Sequence, residues 1–108
     1  MQPNNKNKPP FPYSCRHKIT VFGGHETWRK KIQHMLPGVR FIGQNTKPDE
    51  LLIRNSDIVC LQPNCICHSF YHKIFGTVKI HGIPILIFTK ASAQKCAREI
   101  IEIDKSTP

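Results

Sequence analysis

No stretch of this sequence approaches the ~20 consecutive apolar residues that a membrane span requires, and its beginning carries no apolar segment of a secretory leader. The expectation is a cytoplasmic protein with no membrane partner. Acidic residues are scarce. Seven Asp and Glu stand against sixteen Lys and Arg, a formal charge of +9, which favours anionic partners without choosing among nucleic acid, an anionic cofactor and a phosphorylated ligand. The basic residues are scattered, with Arg29, Lys30 and Lys31 the only run of three, so they read as a solvated surface. Phe11, Tyr13, Trp28 and Tyr71 form no evident stacking platform, which leaves nucleic acid as an allowed but disfavoured partner.

Familiar site motifs are missing too. Gly23-Gly24 does not extend to G-x-G-x-x-G, because Trp28 stands where the last glycine is required, so the ordinary dinucleotide fingerprint is absent. Five cysteines are an odd number, and three of them fall between Cys60 and Cys67, which is unlike a secreted disulfide framework. Cys65-Ile66-Cys67-His68 is one residue too short for covalent haem attachment and too tightly spaced for a usual structural zinc pair. Neither the thioredoxin-type C-x-x-C nor a glycine-rich phosphate cradle with an arginine follows any cysteine. Cys65 and Cys67 at a helix start favour some lowering of thiol pKa, but the expectation leans away from an enzyme.

What is present is an alternation of apolar runs and amphipathic stretches. At 108 residues the chain is expected to form one domain with a real core. Residues 1–17, with four prolines and Lys6 and Lys8, read as a disordered basic tail, and the folded domain as residues 18–104. Ile19 to Phe22 reads as a buried strand, and Trp28, Ile32, Met35 and Leu36 as one face of a helix from about Glu26 to Pro37-Gly38. Val39 to Ile42 is a second strand, and Thr46, Pro48 and Asp49 open a short helix ending near Arg54. Asp57 to Leu61 is a third strand, and Ile66, Phe70, Ile74 and Val78 mark a helix closed by His81-Gly82. Ile83 to Phe88 is a fourth strand. Ser92 then caps a last helix with Ala93, Cys96, Ala97, Ile100 and Ile103 inward. Helical crossovers require parallel pairing with right-handed connections, so the fold class is α/β, a three-layer sandwich around a four-stranded parallel sheet. It is Rossmann-like or flavodoxin-like, with strand order 2-1-3-4.

In that order the first and third strands are neighbours whose connections leave to opposite faces, opening a crevice at their carboxyl ends. The Gly23-Gly24-His25 loop and the Cys65-to-His68 loop would line it. Gly23 and Gly24 permit a sharp turn and close approach of a ligand to the backbone. His25 and His68 stand at helix starts, where they can meet an anion, ligate a metal or haem iron, or simply cap a helix.

At these residues the chain resembles a bacterial family known as domain of unknown function 2325. Its pattern is a strand leading into Gly-Gly-His and a later strand leading into Ser-His followed by a lysine on the next helix. Val21 to His25 matches the first part, His68 and Lys73 the second, and Ile83 to Ile87 its final strand, with Cys67 replacing the usual serine. The resemblance covers about residues 18–101. It implies ligand-binding positions at Gly23, Gly24, His25, Cys67, His68 and Lys73. Some members are associated with haem and oxygen binding, which implies His25 and His68 as metal ligands. The expected function is a small-ligand-binding or sensor module with haem or a transition metal as favoured ligand. Nucleotide or phosphate-ligand binding at the same helix N-termini is the alternative, and nucleic-acid binding through the basic surface the next. A homodimer through exposed faces of the first and last helices is compatible with the pattern.

Overall fold

A computed structural model describes residues 11–42, 50–63 and 68–108, without the side chain of His68. Its elements are β1 (Ile19–Gly23), α1 (Glu26–Met35), β2 (Arg40–Ile42), α2 (Glu50–Arg54), β3 (Ile58–Gln62), α3 (His68–His81), β4 (Ile85–Ile87) and α4 (Ala93–Ser106). All strand pairs are parallel and the order is β2-β1-β3-β4. The expected α/β sandwich and strand order are thus present. Its strand limits move by one to two residues.

The order follows from burial. β1 and β3 are buried along their whole length, as central strands covered on both faces must be. Alternate side chains feed two separate cores. Val21, Cys60 and Phe88 meet Trp28 and Ile32 of α1 and Cys96, Ala97 and Ile100 of α4. Phe22, Val59 and Leu61 meet Ile53 of α2 and Phe70, Ile74 and Val78 of α3. Helices α1 and α4 therefore cover one face, and α2 and α3 the other. Thr20 and Ser56, both buried, satisfy each other through a 2.7 Å hydroxyl bond on the second face.

Helix limits have local causes. Ser92 accepts a hydrogen bond from the Lys95 N–H and so starts α4 as expected. Gly82, at φ +66°, carries the chain out of α3 immediately after His81. Thr46, Pro48, Asp49 and Ile66 lie outside the described residues.

The expected domain start at Lys18 moves toward the N-terminus. Residues 11–17 run as a strap over the α1/α4 layer, with Phe11, Tyr13 and Cys15 packed against the first core and the Tyr13 N–H bonded to the Met35 carbonyl at 2.9 Å. Asp104, fully buried on α4, is the anchor. Its carboxylate accepts from the Tyr13 hydroxyl at 2.7 Å, from the Arg16 and His17 N–H groups at 3.0 Å each, and pairs with His17 Nδ1 at 2.8 Å. The Arg16 guanidinium also donates to the carbonyls of Asp104, Lys105 and Thr107, which the end of α4 would otherwise leave unpaired. Proline content and charge pointed away from packing, and this buried acceptor outweighs them.

Candidate functional site

β1 and β3 end side by side, with Gly23 opposite Gln62. Both glycines of the turn have φ +88°, a region that L side chains rarely adopt. A Cβ on Gly24 would fall 2.3 Å from Cε3 of Trp28. The close approach expected of a ligand is therefore made by this chain's own indole ring. Trp28 is held in turn by Phe88, whose ring meets it edge-on at a centroid distance of 5.6 Å.

Two cavities meet at this turn. The smaller, of about 80 Å³, lies at the strand ends between Gly24, His25, Trp28, Gln62 and Ala91. Gln62 is buried there and donates from Nε2 to the Lys90 carbonyl at 3.2 Å. The larger, of about 1060 Å³, runs between α1 and α4. His25, Trp28 and Ala91 belong to both walls.

The larger cavity has a definite chemistry. Phe11, Trp28 and Met35 give it an apolar side, and His25, Lys31 and His34 bring basic groups to its rim. It also lies against the first turn of α1, at Thr27, and the first turn of α4, at Ser92 to Gln94. Helix N-termini present unpaired N–H groups and the positive end of the helix dipole. Basic side chains and two helix starts thus favour an anionic group beside an apolar body. His25 occupies the position before α1 without using its side chain as a cap.

Of the residues expected at the site, Gly23, Gly24 and His25 stand at the carboxyl end of β1. Cys67 lies outside the described residues, and of His68 only the place at the start of α3 is described. Whether the two histidine loops form one crevice therefore falls outside them. Lys73 is exposed on α3, across the sheet from the α1/α4 cavity, and does not line it. Phe11, Lys31, His34 and the start of α4 were not anticipated. Thr27, Lys31 and His34, at i, i+4 and i+7, form a polar stripe beside the apolar one on α1, a pattern visible in the sequence.

The described thiols are poor nucleophiles. Burial pushes Cys15 and Cys96 up to about 11 and also raises Cys60. All three are expected to resist alkylation at neutral pH in the native protein and to react once it is denatured, as read by mass mapping. Prompt native labelling of Cys60 or Cys96 would contradict this. Among the described residues, no three His, Cys, Asp or Glu side chains gather as a metal-binding group, and no helix is long and apolar enough to cross a membrane.

Searches of protein-family models, curated proteins and solved structures gave no match to the chain.

Proposed function

We propose that the protein is a non-enzymatic ligand-binding or sensor module whose α1/α4 cavity takes a flat, largely apolar ligand bearing anionic groups. The observation that carries this reading is the convergence of His25, Lys31, His34 and two helix starts on one apolar-sided space of about 1060 Å³. That volume lies just above the usual ~300–1,000 Å³ range for small-molecule sites.

Haem is the ligand we favour, partly from the resemblance of the Gly23-Gly24-His25 segment. The donor set fits. A porphyrin brings four nitrogens of its own, so the protein need supply only an axial imidazole, apolar walls and cations for the propionates. A bare transition metal would need a cluster of protein ligands instead. His25 would supply the axial nitrogen, Phe11, Trp28 and Met35 the walls, and Lys31 and His34 the cations. An imidazole has two nitrogens, and a hydrogen bond at one can orient the other for ligation. When bound, haem would supply a site for a diatomic gas or a one-electron change.

The test is a haemin titration followed in the visible spectrum. Wild type is expected to give a saturable, shifted Soret band, His25→Ala a weakened and altered one, and Lys31→Glu a reduced affinity. No saturable uptake by wild type would overturn the haem reading. Unchanged spectra and affinity in His25→Ala would overturn the assignment of the ligand. The same two helix starts favour a nucleotide or sugar phosphate as the second reading. Stabilisation of wild type by such a ligand, lost in Lys31→Glu, would favour it.

A further inference from the structure

The two edges of the sheet are protected unequally. Both edge strands are three residues long, but β2 begins with the exposed charge of Arg40. β4 lies in the run Ile83-Pro84-Ile85-Leu86-Ile87-Phe88, which contains no charge. Its three strand residues are only half-buried, whereas β1 and β3 are wholly buried. An apolar edge without an inward charge or a bulge is a template for another strand.

The free groups on that edge follow from the ladder. The Pro84 carbonyl accepts from Val59, and the Phe88 N–H donates to Leu61, both at the inner side. In a parallel strand the intervening Ile85 and Ile87 then point their N–H and C=O groups outward. Beside the edge, a groove of about 670 Å³ runs between Leu86 and the flank of α4 formed by Glu99, Glu102, Ile103 and Ser106, with Lys105 at its end. Glu99, which is half-buried, and Glu102 give that groove its negative charge.

We infer that β4 is the interface of a symmetric homodimer, in which two copies pair their β4 strands antiparallel about a two-fold axis at Leu86. Ile85 and Ile87 of each copy exchange backbone bonds with Ile87 and Ile85 of the other, and the two sheets become one. The two Leu86 side chains face each other as a non-hydrogen-bonded pair, where side chains come closest. The same axis sets the two α4 helices antiparallel along the seam. Because Glu99 lies at one end of the groove and Lys105 at the other, the axis brings Lys105 of each copy to the Glu99 turn of its mate. This charge pattern is complementary to itself, as an isologous contact requires. Lys105 Nζ lies 5.8 Å from the Tyr13 ring centroid in the single chain.

Sedimentation equilibrium or light scattering on the full chain tests the inference. Wild type is expected at twice the 12.4 kDa chain mass, and Leu86→Lys at the single mass. Because Leu86→Lys also touches the core, the charge pair supplies the independent arm. Glu99→Lys and Lys105→Glu are each expected to raise the dimer dissociation constant about tenfold, equivalent to about 1.4 kcal/mol. The combined variant should recover most of that loss. A wild-type monomer overturns the dimer. A dimer indifferent to Leu86→Lys overturns the use of this edge, and failure of the double variant to recover overturns the Glu99–Lys105 pairing.

Discussion

Gly24→Ala is expected to destabilise the protein by about 3 kcal/mol and lower Tm by roughly 10–20 °C. Two independent costs add. An alanine at φ +88° is held in the left-handed region, which costs about 1–2 kcal/mol. Its methyl carbon would also sit 2.3 Å from the Trp28 ring, and overpacking of this kind costs about 1–3 kcal/mol. The ring cannot easily retreat, because Phe88 stands against it. Gly76→Ala is the contrasting control. It lies inside α3 with nothing within 4 Å of the added carbon, so a gain of up to about 1 kcal/mol is expected from helix propensity. Thermal melts of both variants separate the effects, and repeating Gly24→Ala in a Trp28→Ala background should leave only the backbone part. Equal melting of wild type and Gly24→Ala would show that the indole does not press on this turn.

Asp104→Ala is expected to cost about 3 kcal/mol, in the range for removing one partner of a buried charge network. The loss is not of one bond. The Tyr13 hydroxyl, the Arg16 and His17 N–H groups and the His17 ring all lose the same acceptor. Burial alone would push the Asp104 carboxyl up, but those donors outweigh it and hold it below the usual carboxylate range. The Pro108 carbonyl and then Asp104 raise the His17 imidazole. Stability from Asp104 is therefore present above the ordinary carboxylate value of about 4 and fades as pH falls through its lowered value. Stability from His17 is present below the ordinary imidazole value of about 6.5 and fades as pH rises through its raised value. The strap should hold best between those limits. Urea titrations across pH check this through the difference between wild type and His17→Ala, which should shrink on the alkaline side. A difference that grows there would contradict the pairing.

The parts legible in the sequence are those set by periodicity. Runs such as Ile58 to Leu61 can be buried on both faces only at the centre of a sheet, and the helical stretches between runs force parallel pairing. Order β2-β1-β3-β4 then follows with few alternatives. The strap was harder to see because its proline content resembles that of an unfolded segment. Yet Phe11, Tyr13, Cys15 and His17 alternate with exposed Pro12, Ser14, Arg16 and Lys18, the signature of a chain with one face on a core. Asp104 was hidden differently. It stands four residues after Ile100 on the buried stripe of α4, a place where Ile103 was expected instead. At the site, His25 was legible as a residue following a tight turn. Lys31 and His34 became relevant only once α4 lay beside α1, and the reason for Gly24 appeared only with the Trp28 ring above it.

The strap also bears on the order in which the molecule assembles. Tyr13 and Asp104 are separated by 91 positions along the chain, so their bond closes nearly the longest loop available and requires α4 to be in place already. Loop closure of that length rewards the chain late. The Asp104 cluster is thus expected to close after the sheet has formed, so that Asp104→Ala should speed unfolding in stopped-flow measurements far more than it slows folding.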